Sequence, residues 1–114
     1  MSDAPSRGDL IYLDFNPQAG HEQAGRRPAL VLSPKPFNEK TGFAFVCPIT
    51  SHKKGYPFEV ELPEDGNMKG VILTDQMKSL DWTARSIQIK GKANEETLAN
   101  CLNLIQLILF TDIE

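Results

Sequence analysis

Helical spacing of apolar residues occurs in one place in this chain, toward its C-terminal end. Leu98, Cys101, Leu102, Ile105, Ile108 and Leu109 recur at i, i+3, i+4 and i+7, the stripe of an amphipathic helix. Asn94 stands where an N-cap belongs, and Glu95 and Glu96 fall in the first turn, where the helix dipole favours negative charge. Everything before it runs in period two or is broken by turn residues. Residues 9–15 read as a strand ended by Asn16-Pro17, and Pro28 to Ser33 as a buried central strand. Phe43, Phe45, Cys47 and Ile49 share one face of a third strand. Phe58, Val60 and Leu62 alternate with Glu59 and Glu61, Val71 to Leu73 make a short strand, and Ile87 and Ile89 alternate with Gln88 and Lys90. Residues 16–27 read as a long loop, and Phe37 to Thr41 have room for at most one helical turn between Pro36 and Gly42. Six or so strands within 9–91 and one helix over about 94–110 predict a mainly β fold, with the helix packed against a small, strongly curved antiparallel sheet or barrel.

A chain of 114 residues is one domain, 1–114, with a single modest core. The longest apolar-rich stretch, Leu102 to Phe110, is interrupted by Asn103 and Gln106 and is too short to span a bilayer. Met1 to Arg7 carry no signal-peptide core, so the expected location is the cytoplasm, with no membrane partner. Cys47 and Cys101 fit no metal or redox spacing and read as reduced, buried thiols. His21 and His52 stand in neither an HxH nor an HExxH pattern, so neither a metal nor another cofactor is expected. These features argue against a zinc enzyme, a membrane protein and a disulfide-stapled mini-protein.

The formal charge is −3, but its distribution is uneven. All twelve Lys and Arg precede residue 94, against eleven Asp and Glu there, while the segment from Asn94 on has four acids and no base. Phosphate binding follows locally placed cations rather than the sum, so a nucleic-acid ligand is compatible with an acidic total.

Three polar clusters are candidates for chemistry. His21, Glu22, Gln23, Arg26 and Arg27 crowd into the stretch from Gly20 to Pro28, which also holds Gly25. Thr50, Ser51, Lys53 and Lys54 follow the third strand, hydroxyls and ammoniums suited to a phosphate. Thr74-Asp75-Gln76 follows Val71 to Leu73. Taken singly, each reads at least as well as an ordinary solvated loop or turn, the first and third clusters more so, and Tyr56 and Trp82 read as half-buried packing residues.

Together the clusters have a specific order. Glu22-Gln23-Ala24-Gly25-Arg26-Arg27-Pro28 has the form E-Q-x-G-x-R-P, Pro48-Ile49-Thr50 the form P-x-T, and Asp75-Gln76 completes the series. From about Arg7 to Arg85 the chain resembles the MazF/PemK (Kid) family of toxin endoribonucleases. The resemblance implies a small SH3-like antiparallel barrel, PemK/CcdB-like, with a C-terminal helix, working as a homodimer. It implies sequence-specific cleavage of single-stranded RNA, mainly mRNA, by metal-independent attack of the ribose 2′-OH, leaving a 2′,3′-cyclic phosphate and a 5′-OH. The expected partners are that RNA and a cognate MazE-like antitoxin, through which the complex would bind operator DNA.

Carried over residue by residue, Arg27, Thr50 and Glu22 are the catalytic candidates. Arg27 would neutralise the phosphorane, Thr50 hydrogen-bond the scissile phosphate, and Glu22 orient Arg27 or accept the 2′-OH proton. His21 and Asp75 match the acid–base pair of the PemK branch. That branch also has an arginine two residues before the Asp, where this chain has Leu73. Gln23, Arg26, Asn38, Ser51, Lys53, Lys54 and Gln76 are the expected RNA contacts, with loops 16–27 and 50–57 setting specificity. Two alternatives remain at this level. A CcdB-like gyrase poison would call for a Trp-Gly-Ile ending, where this sequence has Thr111-Asp112-Ile113-Glu114. A non-catalytic SH3-like module binding RNA or protein would leave the three matching motifs without a purpose.

Overall fold

The computed structural model describes residues 3–16 and 25–111. Seven strands form one antiparallel sheet in the order β4-β5-β3-β2-β1-β7, with β6 also on β3. They are β1 (Asp9–Asp14), β2 (Arg26–Val31), β3 (Phe43–Thr50), β4 (Glu59–Glu61), β5 (Val71–Leu73), β6 (Lys78–Asp81) and β7 (Gln88–Lys92). Helix α1 (Lys35–Thr41) links β2 to β3, and α2 (Glu95–Phe110) follows β7.

The curvature comes from β3. Its first half, Phe43 to Val46, pairs with β6, and its last residues, Ile49 and Thr50, pair with Ile72 and Val71 of β5. One strand thus changes partner midway along one edge while β2 holds the other edge, pairing Ala29 with Pro48 and Val31 with Val46. The sheet curls toward a barrel without closing, because its end strands β4 and β7 are not paired to each other among the described residues.

Strands β1, β2 and β3 bury both faces. One face carries Leu10, Leu30, Cys47 and Ile49, which pack with Val60, Ile72, Cys101 and Ile105 under α2. The other carries Ile11, Leu13, Ala29, Val31, Ala44 and Val46, covered by Phe15, Leu80, Trp82 and Ile87. Alternate residues therefore serve two cores, which is why Pro28 to Ser33 reads as a continuous apolar run.

Helix α2 begins where the capping residues place it, with the Asn94 side chain accepting from the Thr97 N–H at 2.7 Å. No helix among the described residues is long and apolar enough to cross a membrane. Four local expectations are corrected. The segment after Pro34 forms seven residues of α-helix rather than at most one turn, because Pro36 sits in the first turn, where an N–H has no intrahelical partner to lose. Gly42, at φ +73°, closes it by donating its N–H to the Asn38 carbonyl at 3.0 Å. Arg26 and Arg27 belong to β2 rather than to the loop before it. Strand β6 carries no apolar alternation, since one residue in four is apolar, and it is held by its ladder to β3. Finally, Phe43 and Phe45 share a face with Cys47 and Ile49 but are themselves 44% and 36% exposed, because α2 covers only the far half of β3.

Candidate active site

Arg27 and Thr50 meet through strand register. The β2–β3 ladder ends at Ala29 with Pro48, and its register continued two residues along each strand brings Arg27 opposite Thr50, both of which line one cleft. Both also point to the same face of the sheet, the side of Ala29 and Val46. An open cleft of about 430 Å³ lies at these strand ends, lined by Tyr12, Arg26, Arg27, Thr50, Ser51 and Lys69 among others. Arg27 is half-buried, while Arg26 and Lys69 are exposed. Three cations thus face one hydroxyl pair with no carboxylate among the described lining residues, a wall suited to a phosphodiester.

Thr50 is held from three sides. It is 6% exposed, its Oγ1 accepts from the His52 N–H at 3.2 Å, and it pairs with Val71 on β5. Gly70 passes so close that a Cβ there would lie 2.5 Å from the Thr50 carbonyl oxygen, and its φ of +126° is one that side chains rarely adopt. One Oγ1 lone pair is used locally, and a hydroxyl also carries an O–H donor.

The base of the loop that follows β1 is pinned as firmly. Phe15 N–H donates to the Gly25 carbonyl at 2.9 Å, and Gly25 N–H to Asn16 Oδ1 at 3.0 Å. Arg85 donates to the carbonyls of Asp14 and Asn16 at 2.9 and 3.0 Å, tying the segment before β7 to the end of β1. His21, Glu22 and Gln23 lie outside the described residues.

The remaining expected residues separate. Ser51 lies in the cleft wall beside Thr50. Lys53 is exposed but leans toward β4, where it bridges Glu61, whose hydrogen bond and charge raise the ammonium's pKa. Lys54 lies over the Tyr56 ring, 5.8 Å from its centroid, and Tyr56 is 56% exposed rather than half-buried. The Lys54 and Gly55 N–H groups both donate to the Glu59 carboxylate, which fixes the turn that carries them.

Asp75 and Gln76 occupy a 3₁₀ turn, Thr74–Gln76, beyond the opposite end of β5 from Thr50. Asp75 is exposed and outside the cleft lining. Its charge is felt at Cys47, whose thiol pKa is pushed up by burial first, by Cys101 next and by Asp75 least. Within one chain, then, Asp75 is not brought to Arg27.

Asn38 is a correction. It was expected to touch RNA, but it is fully buried and completely committed: Oδ1 accepts from Ser33 Oγ at 2.5 Å, and Nδ2 donates to the carbonyls of Pro5 and Ser33. Its own carbonyl accepts from the Trp82 indole N–H at 2.8 Å. A short polar side chain between two prolines and a glycine reads as exposed, and only the tertiary contacts make it a core residue. Conversely, Tyr12 and Lys69 line the cleft without having been singled out in the sequence. Tyr12 looks like one more strand aromatic, and Lys69 lies in the turn before β5, so neither carries a local signal.

A curved antiparallel sheet with a C-terminal helix and a basic, hydroxyl-bearing cleft at its strand ends defines a class of small β protein whose cleft has the chemistry to hold an anion. Comparison with known proteins narrows the class. Residues 6–109 match the model of the PemK-like, MazF-like toxin of type II toxin–antitoxin systems, and the chain belongs to that family. It is 51% identical over 94 residues to the endoribonuclease toxin MazF of Escherichia coli K12, covering 82% of this chain and 84% of that protein. It is 33% identical over 107 residues to the endoribonuclease PemK of Escherichia coli, covering 90% and 80%. Among solved structures, MazF from Deinococcus radiodurans superposes with a TM-score of 0.92 at 46% identity, over 96% of this chain and all of that one. MazF in a MazE–MazF complex from the same organism superposes at 0.85 with 40% identity, over 97% and all of that chain.

Proposed function

We infer how this endoribonuclease toxin of the MazF/PemK type acts: it cuts single-stranded RNA, mainly mRNA, at short recognition sequences, without a metal ion. The observation that carries this reading is the register that sets Arg27 beside Thr50 in one basic cleft. The ribose 2′-OH attacks the adjacent phosphorus, its proton passes to a base, and the P–O bond to the 5′-oxygen breaks as that oxygen takes up a proton. The products are a 2′,3′-cyclic phosphate and a 5′-OH. Charge builds on the non-bridging oxygens of the phosphorane, and the Arg27 guanidinium and Thr50 O–H are positioned to stabilise it there. A guanidinium stays protonated at ordinary pH, so Arg27 serves charge rather than proton transfer, and Glu22 is the candidate base. His21 and Asp75 are supporting candidates. Asp75 would have to reach a cleft from another subunit, which fits a homodimer.

Cutting mRNA in the cytoplasm would stop translation and growth, so the toxin needs a restraint. A MazE-like antitoxin covering the same cleft supplies it, and the toxin–antitoxin complex binds operator DNA through the antitoxin. Solved MazE–MazF complexes among the structural relatives support the partner.

Incubating the purified protein with a long transcript in EDTA, then mapping the ends, tests the reaction. Cuts at a recurrent short sequence, with cyclic phosphate upstream and 5′-hydroxyl downstream, are expected. Cleavage that stops in EDTA and returns with added Mg²⁺ would replace this mechanism. Duplexed sites should resist, because A-form pairing hides the base edges.

A further inference from the structure

A cavity of about 510 Å³ lies apart from the cleft that holds Arg27 and Thr50. It fills the gap where the sheet fails to close, between β1 and β7 on one side and the loop from β4 to β5 on the other. Leu10 and Met68 form an apolar floor, and Asp65, Asn67 and Lys90 stand on the walls. Tyr12 lines this cavity and the cleft alike, so the two lie on either side of one side chain.

Gly91 is the informative residue. A glycine inside a strand weakens it unless conformation, crowding or an approaching ligand requires it. Its φ lies outside the left-handed region, and a Cβ built on it would meet no atom within 4 Å. Neither backbone freedom nor packing therefore explains it. Gly91 is the register partner of Leu10, so a side chain there would project to the same side as Leu10, toward the cavity. What the glycine does is keep that wall open. Lys90 lines the same cavity beside it, at the register shift between β7 and β1.

We propose that this cavity is a nucleotide subsite: one base of the RNA, flanking the scissile phosphate, turns past Tyr12 and is held there. The proposal rests on the nuclease reading above and extends recognition beyond loops 16–27 and 50–57. The chemistry fits a single unpaired nucleotide. The volume lies within the range of small-ligand pockets. The Tyr12 ring offers a stacking surface, Asn67 and Asp65 supply donors and acceptors for a base edge, and Lys90 is placed for a phosphate.

The test uses non-cleavable probes built on the mapped cut sequence, with the attacking 2′-OH replaced by hydrogen. A dinucleotide spanning the scissile phosphate is compared with trinucleotides extended by one residue on the 5′ or the 3′ side. In the wild type, extension on one side should tighten binding by about tenfold, the scale of one base stacking on an aromatic ring. Gly91→Leu should abolish that gain and leave dinucleotide affinity within about twofold, because its side chain fills the subsite and not the cleft. Asn67→Ala, in an exposed loop, should lose part of the same gain and decides the matter if Gly91→Leu fails to fold. A gain that survives both substitutions, or no gain on either side, overturns the subsite while leaving the nuclease intact. An acidic peptide that shifts the Gly91 amide resonance where the extended probe does not would assign the cavity to a protein and overturn it likewise. A wild type that neither cuts RNA nor binds the dinucleotide removes the nuclease reading and the subsite together.

Discussion

Arg27 is placed by strand pairing, opposite Leu13 of β1. It is the second residue of β2, and the β2–β3 register continued past Ala29 sets it beside a hydroxyl from residue 50. Thr50 in turn is fixed by the close passage of Gly70, where any larger residue would push the β3–β5 pair apart. The two side chains should therefore differ in how they fail. On the proposed mechanism Arg27→Ala removes a cation that stabilises the phosphorane, and it should lower the single-turnover cleavage rate by about 10²–10³, the scale of losing one preorganised donor to a developing oxyanion. Thr50→Ala loses a neutral hydrogen bond and should cost less. Rates measured on variants whose circular dichroism matches the wild type would check both, and a near-normal Arg27→Ala would move the chemistry elsewhere.

At the scale of elements, the packing of α2 on β3 rests on Cys47 and Cys101, both fully buried and both free thiols. Burial disfavours the thiolate, raising the Cys47 pKa strongly and pushing Cys101 up to about 12. The unfolded chain ionises both near the ordinary thiol value, about 8.5. A pKa raised in the folded state means stability that is complete below that value and declines as pH rises from there toward about 12. Chemical denaturation at about pH 7 and about pH 10 should show the wild type losing stability on the alkaline side. Cys101→Ala should start less stable, because it leaves a cavity, but should lose less between the two pH values. An identical alkaline loss in the two proteins would mean that the thiols are not its cause. Asn94, Glu95 and Glu96 act on the other end of the same helix, where cap and dipole fix the point at which it starts.

For the whole molecule, two surfaces call for partners. Phe37 and Phe45 stack at 5.8 Å beside the exposed Phe43, and Leu107, Ile108, Leu109 and Phe110 of α2 are also exposed. A single chain of this size leaves such side chains in water only at a cost, and a second copy is the occupant that the homodimer reading supplies. Light scattering at micromolar protein should give about twice the 12.7 kDa of one chain. A monomer would undo the homodimer and the reach of Asp75 into a neighbouring cleft. The other surface is electrostatic. Arg26 and Lys69 flank the cleft, Lys54 is exposed beside Tyr56, and Lys53 is bridged to Glu61 at an exposed site, where such a pair contributes little. RNA and an acidic antitoxin tail competing for these cations should both bind less tightly as salt rises. Changing Lys53 and Lys54 together to Glu should weaken both ligands without unfolding the sheet. Unchanged antitoxin affinity at low salt would show that the two ligands use different ground.

Sequence alone determined those features whose cause is local. Period-two alternation marked β3, β4 and β7, an apolar run ended by Asn16-Pro17 marked β1, the switch to period 3.6 marked α2, and Asn94 marked its first turn to the residue. The motifs around Glu22, Arg27, Thr50 and Asp75 pointed to the family because their order and spacing are specific even though each alone is ordinary. Tertiary structure decided whatever depends on residues far apart in the chain. Strand β6 exists because β3 offers it an edge, and its own residues carry no signal. Asn38 is buried because Pro5, Ser33 and Trp82 converge on it. Phe43 and Phe45 stay exposed because α2 reaches only half of β3, and Asp75 stands apart from Arg27 because β5 carries it past the cleft. Tyr12 and Gly91 acquire meaning only where an unclosed sheet leaves a cavity between its end strands. The physical reason is common to all of these: backbone pairing and burial are set by partners tens of residues away, and a local pattern records only the face a residue presents, not what meets it.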